Sequence, residues 1–242
     1  MDISTKAIAL KTTDFKENDK YVLLYSLEHG KISVHARGVR KSTAKLKFAA
    51  DQFCFGQYEL ATSGDRYTLK SCEQIESFYS VREDILSYYS ACVIAECLAN
   101  YTQEGQSEPQ LFLETLKALQ RLADNCQNHL LVTLRFLLAF MKIEGFKADF
   151  SRCATCGEKS RRLFLDLQSG LIICDKCRTD NAFAISPRAA AVCVMADDMP
   201  YDKLGDFNPP QDAVKDALEV MYKYVSHSFT PLRSLPELIK LA

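Results

Sequence analysis

Cys153-Ala-Thr-Cys156-Gly157 and Cys174-Asp-Lys-Cys177 set the tightest limit on how this chain can fold. Two C-x-x-C pairs separated by 17 residues fall within the spacing of a four-cysteine zinc site. Two thiolates three positions apart on a tight turn can face one ion, and a second such turn completes a tetrahedron. Gly157 supplies the backbone freedom that the first turn needs. Between the pairs, Leu163 to Asp166 and Leu171 to Ile173 read as short strands joined by a turn at Gln168-Ser169-Gly170. The expectation is a zinc ribbon holding one ion. Four thiolates close the coordination sphere and leave no position for a catalytic water, so the metal is expected to be structural. A redox pair would open a helix in a βαβ unit, and neither pair sits in one.

The remaining six cysteines (Cys54, Cys72, Cys92, Cys97, Cys126, Cys193) are expected to be reduced and mostly buried. Met1-Asp-Ile-Ser-Thr-Lys6 lacks the apolar core of a signal peptide, and the most apolar run, Leu130 to Met141, is interrupted by Arg135. The expectation is a cytoplasmic protein without a membrane segment. A net charge of -1 gives no global sign of a polyanionic partner, so any such surface has to be local.

The first 76 residues alternate in the manner of strands. Lys6 to Thr12, Tyr21 to Leu27, Ile32 to Arg37, Phe53 to Leu60 and Arg66 to Ile75 are separated by turn signals, including Glu28-His29-Gly30-Lys31 and Thr62-Ser63-Gly64-Asp65. Five short strands suggest an OB-fold barrel, with an SH3-like barrel as the alternative. From His29 to Ala50 there are six basic residues (Lys31, Arg37, Arg40, Lys41, Lys45, Lys47) and no acidic one. On a flexible connection beside a barrel strand, such cations can reach phosphates. A merely solvated loop has the same composition.

Past Ser77 the period changes to about 3.6 residues. Ser80-Val-Arg-Glu83 reads as a capping box ahead of a stripe formed by Ile85, Leu86, Tyr89, Val93, Cys97 and Tyr101. Pro109 opens a second helix, with Phe112, Leu116, Leu119 and Ala123 on its buried side. A third, from about His129 to Glu144, is apolar on most sides and ends at Gly145, so it belongs at the centre of a bundle. Ser186-Pro187 and Pro210 open two more helices, and Leu232 to Leu241 forms a last short one. The fold class is thus α+β, with a barrel over residues 1–79, helical segments over 80–149 and 183–242, and the four-cysteine ribbon inserted at 150–182. No phosphate-binding glycine loop, nucleophile elbow or H-E-x-x-H is present, and an enzyme is not expected.

Ile8-Ala-Leu10-Lys, Glu17-Asn-Asp19, Glu28-His-Gly30-Lys31, Ala36-Arg37-Gly38-Val39-Arg40-Lys41, the ribbon and Pro231-Leu232-Arg233-Ser234 follow one another in an order that resembles the RecO family of bacterial recombination mediators. The resemblance spans nearly the whole chain. It implies an OB barrel followed by a helical domain, with the ribbon present in many members. It further implies a cytoplasmic, nucleoid-associated protein that binds single- and double-stranded DNA and anneals complementary strands. With RecR, such a protein helps RecA load onto DNA coated by single-stranded-DNA-binding protein, whose acidic C-terminal tail docks on the helical domain. The family's basic barrel surface corresponds here to Arg37, Arg40 and Lys41, with Lys45, Lys47 and Lys31 added from the same run. Arg121 and Arg135 are candidates for the tail. An RNA- or ribosome-associated binding protein with the same barrel and ribbon, and a thiol-redox enzyme using Cys153 and Cys156, are the competing classes.

Overall fold

Ladder pairing closes the first five strands into a barrel, and burial alternates most cleanly along the third and fourth of them. The computed structural model describes residues 2–64, 66–124 and 128–242; Asp65 and Cys126, which entered the expectations above, lie outside them. The strands are β1 (Asp2–Phe15), β2 (Asp19–Ser26), β3 (Gly30–Ala36), β4 (Phe55–Ser63) and β5 (Arg66–Glu76), in the order β1-β2-β3-β5-β4. Neighbours are antiparallel except β3 and β5, which pair in parallel at Val34–Tyr67 and His35–Thr68. This closed five-stranded arrangement is OB-like. Ala7, Ala9, Val22, Leu24, Ile32, Val34, Tyr58 and Leu60 fill it.

β1 is longer than its apolar alternation suggested because it serves two partners. Asp2–Ile8 pairs with β4 and Ala7–Phe15 with β2, and a register shift between Ala9 and Lys11 bends the strand from one neighbour to the other. Gly30 has a positive φ of 60°, and an added Cβ there would lie 1.9 Å from the Gln106 carbonyl oxygen, so only glycine fits. The connection after β3 is more ordered than a flexible loop. It ends in a 3-10 turn, Lys47–Ala50, whose Ala49 and Ala50 are buried in the barrel core while the Tyr58 hydroxyl donates to the Ala49 carbonyl at 2.9 Å.

The chain forms two compact units, one comprising residues up to Tyr79 with Ala95–Leu113, the other Ser80–Ile94 with Glu114–Ala242. The helices are α1 (Ile85–Tyr101), α2 (Pro109–Ala123), α3 (His129–Ile143), α4 (Pro187–Ala196), α5 (Gln211–Ser228) and α6 (Ser234–Leu241). In the second unit α3 packs against α4 and α5, and every residue from Leu130 to Met141 is buried. Gly145 ends α3 in the left-handed region, and the Phe146 N–H reaches back to the Met141 carbonyl at 2.7 Å.

Two expectations about α1 fail. Ile85, placed in the buried stripe, is 57% exposed, while Ser87, Ser90, Ala91, Ile94 and Leu98 are buried. The burial wraps around most of the helix, so a single stripe was too narrow a description. Nor does Ser80 cap it: residues Tyr79–Arg82 form a 3-10 turn and the Ser80 hydroxyl donates to Ala123. The cap is Asp84, which accepts the Ser87 N–H at 2.7 Å. That N–H holds the Asp84 carboxyl below the usual carboxylate range. Its contribution is therefore present above the unfolded value of about 4 and is lost as pH falls through the lower folded one. Asp84→Ala is expected to lower stability by about 1 kcal/mol at neutral pH in denaturant titration, with a smaller difference in acid.

Between α3 and α4 lie three short strands, β6 (Leu163–Asp166), β7 (Ile172–Cys174) and β8 (Ala182–Ile185), ordered β7-β6-β8. β6 and β7 match the expected hairpin. β8 was not foreseen, because four residues of Ala-Phe-Ala-Ile carry little alternation.

Candidate functional site

The two C-x-x-C turns meet. The sulfur atoms of Cys153, Cys156, Cys174 and Cys177 all lie within 4.8 Å of one another, and Cys156 and Cys174 are 3.7 Å apart. Thiolates at the corners of a tetrahedron about 2.3 Å from a central ion are roughly 3.8 Å apart, so these residues fit a metal ion with little adjustment. The Gly157 N–H closes the first turn onto the Cys153 carbonyl at 2.9 Å, with Gly157 at a φ of 73°. Ala154 N–H donates to Ile172 at 2.8 Å and ties that turn to β7. Beneath the sulfurs, Phe164 and Ile173 pack against Cys153 and Cys174. Burial opposes ionisation of Cys153, but the backbone N–H groups of Cys156, Cys174 and Thr155 outweigh it and bring the thiol down to about 6. Asp166, buried on β6, accepts from Thr179 Oγ1 at 2.8 Å and from the Ser169 N–H at 3.2 Å, and so joins the hairpin turn to the segment after the second pair.

The basic surface is built by the two ends of the β1–β2 and β3 connections. Asp19, at the start of β2, accepts the Gly38 N–H at 2.8 Å through one oxygen and contacts His35 Nε2 at 2.9 Å through the other. The Gly38 N–H, with His35 adding to it, keeps the Asp19 carboxyl below its ordinary range. Asn18 accepts the Arg40 N–H at 3.0 Å. Glu17-Asn-Asp19 and Arg37-Gly38-Val39-Arg40 are thus partners in space, which accounts for their joint presence in the sequence.

Arg37, Lys41, Lys45 and Lys47 are exposed, and among the described residues none of them makes an ion pair. Arg40 pairs with Asp14 at 3.2 Å, so the acid-free run is acid-free only along the chain. A cavity of about 310 Å³ is lined by Lys20, Arg40 and Lys47 with Asp14, Val39 and Ala50. Lys20 was missed, because it stands outside the basic run. Its pairing with Ala36 across β2 and β3 is the only signal that brings it to the loop.

Lys31 does not join this surface. It lies at the other end of β3, about 20 Å along the strand from Arg37, and its ammonium donates to the Ala99 carbonyl at 2.8 Å. Burial pulls that ammonium below its ordinary range against the opposing charge of Glu104. Arg135 is likewise committed. It is 9% exposed, donates through Nε to Met199 at 2.8 Å, pairs with Glu114 at 3.4 Å and lies over the Tyr201 ring. A side chain so occupied is a packing element of the second unit and not an external anchor. Arg121 is only partly exposed, with its guanidinium against Gly205. Among the described residues no helix is long and apolar enough to cross a membrane.

Comparison with known proteins gives one family over both parts of the chain. Residues 1–78 match the family model described as Recombination protein O N terminal, and residues 82–236 the one described as Recombination protein O C terminal. A Clostridium novyi protein named DNA repair protein RecO is 28% identical over 93% of this chain and 89% of its own length. One of the same name from Bacillus pumilus is 28% identical over 93% and 88%. One from Listeria monocytogenes serotype 4b is 30% identical over 71% and 67%.

Proposed function

The chain belongs to the RecO family of DNA repair and recombination proteins, and from that premise we propose that it is a mediator that binds single- and double-stranded DNA through the loop after β3, anneals complementary strands and, with RecR, helps RecA load onto DNA coated by single-stranded-DNA-binding protein. The observation that carries this reading is the convergence of Lys20, Arg40 and Lys47 on one cavity beside exposed Arg37, Lys41 and Lys45. Cations held on a rigid barrel can follow a phosphate backbone without reading bases. The loop is pre-ordered by Asp19 and Asn18, so little conformational entropy is lost on binding.

The ribbon's part is mechanical. Cys153, Cys156, Cys174 and Cys177 hold one zinc ion that fixes the two turns and leaves no site for chemistry. The proposed activity is binding and juxtaposition. The acidic tail of the single-strand coat is assigned to the helical part of the chain. With Arg135 occupied internally, its cations must come from the more exposed side chains.

Annealing on coated DNA tests the reading. Complementary strands covered by single-stranded-DNA-binding protein are expected to anneal when this protein is added, and to remain separate when the coat lacks its acidic tail. Uncoated strands should anneal in either case. Failure on both coated and uncoated strands would contradict the proposal.

A further inference from the structure

The outer face of β1–β3 carries an aromatic cluster that phosphate binding does not use. Tyr21 on β2 stands opposite Thr13 on β1 and His35 on β3. Its ring lies 5.1 Å from that of His35 at 25° and 4.9 Å from that of Phe15 at 59°. Among the described barrel strands it is the aromatic side chain left exposed, at 39%. Tyr25 and Tyr58 are buried.

Cross-strand packing alone accounts for a pair of rings. It does not account for the way this cluster is tied to the cations. His35 is held by the same Asp19 carboxylate that fixes Gly38, where the basic loop begins. Arg37 lies two residues beyond His35, in line with the outward alternation. The Lys16 ammonium lies 5.3 Å from the Phe15 ring centroid. An exposed ring beside cations spaced along one rim is the arrangement that takes an unpaired base on its face and the flanking phosphates on its charges.

We propose that Tyr21, backed by Phe15 and His35, is a stacking platform for a base of single-stranded DNA whose phosphates lie on the loop cations. This rests on the DNA-binding reading above. A duplex keeps its bases stacked internally, so the platform adds affinity for single strands alone.

Tyr21→Ala is expected to weaken binding to oligo(dT) about tenfold, within the range lost when one stacked base loses its aromatic partner. The salt slope should stay unchanged, because no phosphate contact is removed. Duplex binding should change less than about twofold by this reasoning, and Tyr21→Phe should restore the parent affinity. Tyr21→Trp provides the only tryptophan in the chain, and its emission should be quenched by oligo(dT) but not by duplex. Parent-like oligo(dT) affinity in Tyr21→Ala with unquenched Trp emission would overturn the platform while leaving phosphate binding standing. Absence of oligo(dT) binding by the parent protein would overturn both.

Discussion

Cys174→Ser is expected to abolish stoichiometric metal binding and to unfold the turns of the ribbon while the barrel stays intact. The ribbon cannot hold itself. Its three strands have four, three and four residues, shorter than the usual strand of about five to six. On the sulfur side its apolar support is Phe164 and Ile173 with Cys153 and Cys174. A structural zinc contributes on the order of 10–16 kcal/mol of apparent binding free energy in small zinc-dependent folds, so loss of one thiolate outweighs any packing change that serine brings. Metal analysis should give one zinc per chain for the parent and less than about half an equivalent for the variant. Hydrogen exchange should show lost protection at Ala154, Gly157 and β7, which the sulfurs brace directly. Protection in β1–β5 should persist, because those strands have a core of their own. A parent protein below half an equivalent of zinc under reducing conditions, with the variant unchanged in exchange, would contradict the closed site.

The second large effect concerns DNA. Changing Arg37, Arg40 and Lys41 together to Ala is expected to weaken binding to every oligonucleotide by a similar factor, because phosphate contacts carry no sequence information. Three exposed ionic contacts of somewhat under 1 kcal/mol each amount to about 2 kcal/mol, or roughly thirtyfold. Arg37 and Lys41 should account for most of it, since Arg40 already faces Asp14 at 3.2 Å. Folding stability should change by less than about 0.5 kcal/mol, because these side chains are exposed. Anisotropy titrations on oligonucleotides of unrelated sequence check both the size and the uniformity of the loss.

Much of this was legible because the signals are local. The C-x-x-C spacing singled out four cysteines, and their sulfurs converge into a group that could hold an ion. Ser186-Pro187 marked the start of α4, where the Ser186 hydroxyl accepts the Ala189 N–H at 3.1 Å. Alternation in the third strand placed its inward side chains, and Ile32, Val34 and Ala36 are in the barrel core. What stayed hidden depends on partners distant in the chain. Asp84 displaced Ser80 as cap because the Ser80 hydroxyl found Ala123, 43 residues away. Lys31 and Arg135 were read as free cations because nothing in their neighbourhood announces Ala99, Met199 or Glu114. Lys20 and Asp14 reach the basic loop only through strand pairing. Composition placed cations on the loop, while the barrel decided which of them share a surface.

The salt dependence of DNA affinity tests the central claim most directly. If the loop cations neutralise phosphates, log affinity for single-stranded oligonucleotides should fall linearly with log salt, and the slope should flatten by about 0.7 for each contact removed, or about 0.9 for duplex. The Arg37, Arg40 and Lys41 triple variant should therefore lose roughly two to three units of slope relative to the parent. A variant whose affinity and slope both match the parent would place the DNA elsewhere and contradict the account.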